Sequence, residues 1–253
     1  MLCLLSPAKT FQKHTNEWLP ARTEPAFPAE TNQLIKHLQE YNESGLAKLM
    51  YLSEKLADLN VSRYQNWANS EALPALFRYH GDVYKGLKYT SLSQKNWRHA
   101  NAHIAILSGL YGVLRATDSI HEHRLEMGIK LPTDSGKNLY EFWDTKVTNQ
   151  VNILAEKAGS DYILNLASNE YFKVIQPSKL TKSLITAQFL QIGPKGARNI
   201  AIHAKRARGL MARFVLDNKI KKPDQLLDFN LEDYEFSPDR SDNTTLIFTR
   251  EKS

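Results

Sequence analysis

The residues best suited to chemistry lie in one stretch, residues 104 to 128. It begins with an apolar run, Ile104 to Leu107, which is short enough to be a buried strand. Two glycines follow three residues apart, and glycine lets a backbone take positive φ or approach a ligand closely. The sequence therefore predicts a functional loop at a strand end. Its candidate residues are Ser108, Gly109, Gly112, Arg115, Arg124 and Glu126.

The net charge of +6 hides a strong separation of charge late in the chain. Residues 195 to 222 hold nine lysines and arginines against one aspartate, whereas residues 223 to 242 hold seven acids against one arginine. A basic block of this kind suits a polyanion such as a nucleic acid. The alternative is a solvated helix face that the following acids neutralise. The charge pattern alone favours neither.

A helix predicted over residues 204 to 218 carries much of this basic block. Its apolar residues share one arc, which should pack on the core. We expect its cations to share the opposite arc, where they would hold phosphates by releasing condensed counterions. The alternative is that they pair with the acidic segment downstream. The candidates are Lys205, Arg206, Arg208 and Arg213.

Two short patterns resemble catalytic motifs without completing them. Ser6 and Lys9 have a Ser-x-x-Lys spacing, but no Lys-Thr-Gly occurs, so we interpret Ser6 as the cap of a turn and Lys9 as a cation free to meet an anion. Residues 81 to 88 hold two glycines but lack the Lys-Ser/Thr of a P-loop. Asp82 and Tyr84 could line a site there, and the alternative is a plain glycine-bounded turn.

Metal and thiol chemistry have little support in the sequence. His121, His123 and Glu126 form a weak ligand pattern, because a lone His-x-His pair is usually solvated. No Glu-x-x-His, Gly-x-Ser-x-Gly or Gly-x-Gly-x-x-Gly pattern occurs. The single cysteine, Cys3, lies in an apolar run and should be buried and inert. We therefore predict no metal site, no cofactor and no peroxidatic thiol.

The periodicity indicates one α/β (mixed α+β) domain over residues 1 to 253, with a mixed sheet flanked by helices. The acidic segment 223 to 242 should pack on this domain or trail from it. No apolar run approaches the roughly 20 residues of a membrane span, and the first residues lack a basic signal region. We expect a cytoplasmic monomer. Predicted strands are the chain start, 76–79, 104–107, 161–166, 184–192, 197–203 and 245–249; predicted helices are 34–41, 46–56 capped by Ser44, 61–67, 93–103, 138–158 and 204–218.

Seven stretches, in one order from residue 2 to about residue 214, resemble the YaaA peroxide-stress-resistance family. They are Leu5-Ser6-Pro7-Ala8-Lys9-Thr10; Gly81-Asp82-Val83-Tyr84-x-Gly86-Leu87; Leu107-Ser108-Gly109-Leu110-Tyr111-Gly112-Val113-Leu114-Arg115; Arg124-Leu125-Glu126-Met127-Gly128; Asn138-Leu139-Tyr140-x-Phe142-Trp143; Asn165-Leu166-Ala167-Ser168-x-Glu170-Tyr171-Phe172; and Ala207-Arg208-Gly209-Leu210-Met211-x-Arg213-Phe214.

The resemblance implies a cytosolic single α/β domain with a basic cleft and a helix-hairpin-helix-like element. It implies a role in surviving hydrogen peroxide, by keeping free iron low and limiting oxidative damage to DNA and protein. It also implies that a protein of this fold binds DNA. Residues 107 to 112 resemble such a hairpin, in which glycine amides hold a phosphate. The chain departs from the family at Ala116, where proline is usual, and at His123, where tyrosine is frequent.

Two hypotheses follow. In the first, the chain is a non-catalytic protein that binds double-stranded or distorted DNA without sequence specificity, through Lys9, Arg115, Arg124, the cations of residues 204 to 218 and the 109–112 turn. In the second, it is an enzyme on a nucleotide or base, with a carboxylate as general base. Direct iron binding has little support from ligand spacing. The polar residues expected to converge in the cleft are Ser6, Asp82, Tyr84, Ser108, Glu126, Ser168 and Glu170.

Overall fold

The computed structural model describes residues 1–12, 19–194 and 196–251. Its helices are α1 (Pro28–Gln39), α2 (Glu43–Met50), α3 (Glu54–Gln65), α4 (Ala75–Arg78), α5 (Asp82–Leu87), α6 (Gln94–His103), α7 (Leu139–Trp143), α8 (Lys146–Lys157), α9 (Asn169–Phe172) and α10 (Ala201–Asn218). Its strands are β1 (Leu2–Leu5), β2 (Thr10–Phe11), β3 (Leu73–Pro74), β4 (Tyr79–His80), β5 (Ile104–Ser108), β6 (Gly112–Arg115), β7 (Ser119–Ile120), β8 (Tyr162–Asn165), β9 (Ser183–Gly193), β10 (Gly196–Arg198), β11 (Glu235–Phe236) and β12 (Thr245–Glu251).

One large mixed sheet organises the described part of the chain, in the order β11-β12-β9-β8-β1-β5-β6, with β10 paired to β9. Strands β12, β9, β8, β1 and β5 are parallel to one another, whereas β11, β10 and β6 pair antiparallel with β12, β9 and β5. Every residue of β1 and β5 is buried, as expected for parallel strands that helices cover on both faces. The predicted mixed α/β domain with its mixed sheet is confirmed.

The strand order reverses at β1. From this strand the chain builds outward through β5 on one side and through β8, β9 and β12 on the other. Open α/β sheets bind ligands in the crevice beyond the carboxyl ends of their strands at such a switch point. The register aligns Leu4 of β1, Asn165 of β8 and Thr186 of β9, and β9 then continues to Gly193. The extension of β9 therefore forms a wall beside the ends of β1 and β8.

The glycine-bounded segment after β5 is a β-hairpin. Ser108 pairs with Gly112, so strands rather than helices flank the turn, and the helix-hairpin-helix-like element expected at residues 107 to 112 is not found there. The Ser108 hydroxyl accepts a hydrogen bond from the backbone N–H of Tyr111 (3.1 Å). Gly112 has φ +70°, and a Cβ atom added there would lie 2.9 Å from the ring of Trp143 and 3.1 Å from that of Phe27. This turn is packed into the interior.

Several predicted elements need correction. Residues 76 to 79, predicted as a strand, belong mostly to helix α4, because a short run rich in apolar and aromatic residues suits either structure. The single helix predicted over 138 to 158 is two, α7 and α8, because Asp144 takes φ 41° between them. The side chain of Asn42, not that of Ser44, caps α2, and it accepts a hydrogen bond from the backbone N–H of Gly45 (2.9 Å).

Further boundaries differ as well. The predicted helix 46–56 is interrupted by Tyr51 in the left-handed region, which separates α2 from α3, and α3 already covers much of the predicted helix 61–67. The second strand of the 193–196 hairpin ends at Arg198, because α10 begins at Ala201. Residues 11 to 30, predicted as a surface loop, include part of β2 and the start of α1, and residues 13 to 18 lie outside the described part.

The acidic segment, residues 223 to 242, lies on the domain. Leu226, Phe229 and Tyr234 in this segment are buried, and β11 adds an edge strand next to β12. Aromatic contacts join Phe229 and Tyr234 to Phe189 of β9. Across the described ranges, every helix is too short or too polar to cross a membrane.

Two glycines let helices α5 and α10 approach each other closely. A Cβ atom on Gly209 of α10 would lie 1.8 Å from the carbonyl oxygen of Val83 in α5, and one on Gly86 of α5 would lie 2.3 Å from the carbonyl oxygen of Arg206 in α10. No side chain fits at either position without moving backbone. The contact fixes α10 against α5 and hence against the chain that follows β1.

We predict that Gly209→Ala destabilises the protein. Alanine favours an isolated helix by about 1 kcal/mol over glycine, but overpacking against backbone costs roughly 1–3 kcal/mol or more and should prevail. Urea unfolding followed by circular dichroism measures the change in free energy of unfolding. Gly193→Ala is the control, because a Cβ there meets no atom within 4 Å. A Gly209→Ala protein as stable as the parent would contradict the close helix contact.

Candidate functional site

A cavity of about 660 Å³ lies beyond the carboxyl ends of β1 and β8. The turn after β1, the start of α5, the loop after β8, the middle of β9 and the first half of α10 surround it, and we call it the central cavity. Its volume is within the range of small-molecule sites, and its position is the switch point of the sheet. Half of the predicted site residues line it: Ser6, Lys9, Asp82, Tyr84, Ser168, Glu170, Lys205 and Arg208.

Two serines join the loops at the base of this cavity. The hydroxyl of Ser6, directly after β1, accepts a hydrogen bond from the backbone N–H of Ser168 (2.8 Å) and lies 3.3 Å from the Ser168 hydroxyl. The hydroxyl of Tyr84 donates to the Ser6 carbonyl oxygen (3.1 Å), and burial raises the pKa of Tyr84 well above its usual value. These hydrogen bonds hold the ends of β1 and β8 and the start of α5 together.

The cations of α10 divide into two groups. Lys205 and Arg208, three residues apart, line the central cavity. Arg206 instead pairs with Glu232 (Nε–Oε1 2.6 Å), and Arg213 pairs with Asp217 (Nε–Oδ2 2.7 Å). The expectation that all four share one arc was wrong. At about 100° per residue, Lys205 and Arg208 lie roughly 60° apart around the helix, and Arg206 and Arg213 lie roughly 20° apart. Since Lys205 and Arg206 are adjacent, and so about 100° apart, the two groups lie on different stripes of the helix.

Arg206 and Arg213 have structural contacts in place of a ligand. The partner of Arg206, Glu232, belongs to the acidic segment, so this pair is the neutralisation by downstream acids considered from sequence. Arg213 also donates to the carbonyl oxygen of Lys88 (3.0 Å) and to the hydroxyl of Ser91 (2.7 Å). These bonds tie the end of α5 to α10.

Arg208 is the cation most in need of a partner. Its Nε is buried and makes no hydrogen bond to any described residue, and burial lowers the pKa of its guanidinium. Arginine stays charged at neutral pH even so. Neither Arg208 nor Lys205 forms an ion pair within the described ranges. A partly buried charge without a counter-ion loses some hydration, so an anion that entered here would regain part of that cost.

Carboxylates share the cavity with these cations. One Glu170 oxygen accepts a hydrogen bond from the backbone N–H of Gly128 (3.0 Å), and Asp82 lies 4.0 Å from Lys85. Among the described residues the charged lining consists of Lys9, Lys205 and Arg208 against these two acids. The lining is therefore mixed in charge, with only a small positive excess.

Neutral polar side chains of the sheet complete the lining, and they are not among the site residues predicted from sequence. Asn165 ends β8, and Thr186 and Gln188 alternate along β9 with the buried Ile185 and Phe189. The strand alternation was the available signal, because polar residues at every second position mark one face of a strand. Their amide and hydroxyl groups can both donate and accept hydrogen bonds.

The predicted residues Arg124, Glu126 and Ser108 lie around a small adjoining pocket, which shares Lys9 with the central cavity. Glu126 is buried between two cations: its Oε1 is 2.6 Å from Arg124 Nε and 3.5 Å from Lys9 Nζ. These ion pairs give Glu126 a structural role between the loops that carry Lys9 and Arg124.

The remaining predicted residues are brought elsewhere. Arg115 pairs with Asp118 through its Nε (3.0 Å) and Nη2 (2.8 Å) and lines a separate pocket. A Cβ on Gly109 would lie 2.3 Å from the Leu125 carbonyl oxygen, and the Gly109 carbonyl accepts a hydrogen bond from the Trp143 indole (2.9 Å). Together with the buried position of Gly112, these contacts make the 109–112 turn a packing element.

The His-x-His pair has protein partners. His121 Nδ1 lies 2.7 Å from the Ser70 hydroxyl, and His123 Nδ1 donates to the His121 carbonyl oxygen (2.8 Å). Within the described ranges, no three His, Cys, Asp or Glu side chains are grouped as a metal ion requires. Cys3 is fully buried on β1, and burial raises the pKa of its thiol to about 12, so the thiolate that peroxide chemistry needs is disfavoured.

His123 should make the protein sensitive to acid. It is buried among the rings of Phe11, Tyr79 and Tyr111, and burial lowers its pKa to about 4. Above pH 6.5 the folded and unfolded states are both neutral at this residue. Below that pH the unfolded chain binds a proton first, so stability falls until about pH 4, by roughly 3 kcal/mol in total.

We predict that His123→Phe flattens the loss of stability between pH 6.5 and pH 4. Urea unfolding at several pH values measures the slope for both proteins. A residual slope should remain, because the pKa of His103 is also lowered to about 4. An unchanged pH dependence in the variant would contradict a buried neutral His123.

The fold and cavity together define a class: a mixed α/β protein with a polar crevice at the switch point of its sheet. Comparison with known proteins makes the assignment specific. The family model described as peroxide stress protein YaaA matches residues 1–240, so the chain belongs to this family. It is also 41% identical over 256 residues to UPF0246 proteins of Aliivibrio fischeri strains MJ11 and ES114, covering 100% of this chain and 99% of each relative.

Proposed function

We propose that this member of the peroxide stress protein YaaA family protects the cell by binding DNA, with Lys205 and Arg208 of the central cavity holding backbone phosphate. In this proposal the protein acts as a monomer in the cytoplasm and limits the damage that peroxide and free iron cause to DNA. The observation that carries the proposal is the partly buried Arg208, whose Nε has no partner among the described residues.

The contacts of the other cations support this choice. Arg115, Arg124, Arg206 and Arg213 each have a carboxylate within 3 Å, so they have less to gain from a phosphate. Lys205 and Arg208 have none, and Lys9 lies 3.5 Å from the shared Glu126. DNA affinity from two or three phosphate contacts is modest and depends on salt. We therefore expect binding that is not sequence-specific.

We predict that Lys205→Gln with Arg208→Gln weakens DNA binding for all sequences alike. Losing two phosphate contacts should lower the slope of log K against log salt by roughly 2. Fluorescence anisotropy of labelled duplex DNA, from low to physiological salt, measures the affinity and the slope.

The matched control is Lys36→Gln with Lys179→Gln, which makes the same change in charge at exposed positions away from the central cavity. Circular dichroism establishes that both double variants fold. Equal losses of affinity in the two variants would show that general charge, not the cavity, drives binding, and would refute the proposal.

A second function has one observation in its favour: Asp82 and Glu170 line the same cavity as the cations, and phosphate binding requires no carboxylate. We propose, as the alternative, an enzyme that acts on a nucleotide or nucleic-acid base with a cavity carboxylate as general base. Glu170 is exposed, and only one of its oxygens accepts a hydrogen bond, from the backbone N–H of Gly128. It is therefore better placed than Glu126 to act as general base. The carboxylate of Glu126 is already ion-paired with Arg124.

On this alternative, incubation with nucleoside monophosphates yields a product that chromatography detects, and Glu170→Gln lowers the rate about 10²- to 10⁴-fold. Glutamine keeps an oxygen for the Gly128 hydrogen bond, so the fold should survive. Glu126→Gln tests the ion-paired carboxylate in parallel. A rate unchanged in Glu170→Gln would remove this residue from the mechanism.

A further inference from the structure

We propose that the central cavity binds a single nucleotide that has left the base stack, with its phosphate at Lys205 and Arg208 and its base against the polar side chains of β8 and β9. The inference rests on the proposed DNA binding and names the part of the nucleic acid that the cavity takes. The same chemistry is offered by a free nucleoside monophosphate, which the experiment below distinguishes.

The shape of the site favours one nucleotide over a duplex. The cavity holds about 660 Å³, the size of a small-molecule site, and Lys205 and Arg208 lie on its lining. A double helix can offer backbone phosphates to Lys205 and to the partly buried Arg208 at the rim of this space, but only a nucleotide that has left the duplex can fill it. Extrusion of one nucleotide from a duplex breaks base stacking and pairing, and it costs less free energy where the base is already unpaired.

The neutral lining suits the edge of a base. Thr186 and Gln188 on β9 and Asn165 at the end of β8 offer hydroxyl and amide groups, which can pair with the donors and acceptors of a base. The Asn165 oxygen accepts a hydrogen bond from the backbone N–H of Ala167 (3.0 Å), whereas its amide nitrogen has only a long contact to Thr186 (3.5 Å). This nitrogen remains available as a donor.

Exposed apolar residues beside the cavity favour a nucleotide that comes from a DNA strand. Ile200 and Ile202, at the start of α10, are 39% and 59% exposed, and they follow Asn199, which lines the cavity. Proteins that distort DNA insert apolar side chains of this kind into the base stack. A free nucleotide gives no reason for them. They would fill the gap that an extruded nucleotide leaves.

Anisotropy with three labelled DNAs tests the inference: a fully paired duplex, the same duplex with one extra unpaired thymidine, and the same duplex with an abasic residue at that position. We expect the unpaired thymidine to bind at least about fivefold tighter than the paired duplex, and the abasic DNA to lose that advantage. Thr186→Val with Gln188→Ala should remove the preference for the unpaired thymidine. Thr249→Val with Gln191→Ala, on β12 and β9 outside the cavity lining, is the matched control.

Titration calorimetry with thymidine monophosphate forms the second arm. If the parent protein binds this nucleotide and the Thr186→Val, Gln188→Ala variant does not, the result supports a single-nucleotide site. If, in addition, the protein shows no preference for DNA with the unpaired thymidine, the free nucleotide is identified as the ligand. Duplex binding with neither a preference for the unpaired base nor binding of thymidine monophosphate overturns this inference and leaves the proposed function standing. Absence of any DNA binding overturns the proposed function. In that case binding of thymidine monophosphate alone supports the single-nucleotide site, and its absence overturns the inference as well.

Discussion

The close contact of α5 with α10 determines the position of Lys205 and Arg208 in the central cavity. Gly86 and Gly209 bring the two backbones to a separation that no side chain permits. Helix α5 begins directly after β4, and its Tyr84 donates to the carbonyl oxygen of Ser6 after β1. The contact between α5 and α10 therefore places the first half of α10 over the carboxyl end of the sheet. Arg213, which donates to carbonyl oxygens at the end of α5, holds the same pair of helices further along. The side of α10 on which a basic residue lies therefore decides its role. Arg206 and Arg213 make structural contacts, whereas Lys205 and Arg208 line the cavity.

The sheet supplies the other half of the site. The strand order reverses at β1, so the ends of β1 and β8 lie next to each other with no helix between them, and the crevice there follows from topology. Ser6 and Ser168 close its base by hydrogen bonds that link the two loops. The Ser-x-x-Lys pattern thus has a structural explanation: Ser6 joins strands, while Lys9 is 3.5 Å from Glu126.

The sequence was most informative where local patterns decide structure. Buried parallel strands such as β1, β5 and β8 are continuous apolar runs, and their prediction needed no knowledge of neighbours. The site was only partly predictable, because Lys205 and Arg206 are adjacent and alike, and only a neighbour such as Glu232 separates their roles. The break at Asp144 depends on a positive φ that no local pattern indicates. The polar face of β9 could have been found from its alternation, but its importance depends on the strand running past β8.

The mixed charge of the cavity bears on what it can hold. A surface that binds nucleic acid only through its backbone needs cations and no acids, since carboxylates repel phosphate. Here Asp82 and Glu170 lie on the same lining as Lys205 and Arg208. The neutral amide and hydroxyl groups of β8 and β9 form another part of that lining. Such a mixture suits a ligand that is anionic in one part and a hydrogen-bonding ring in another. A nucleotide has both parts, whereas inorganic phosphate or an uninterrupted phosphate backbone has only the first.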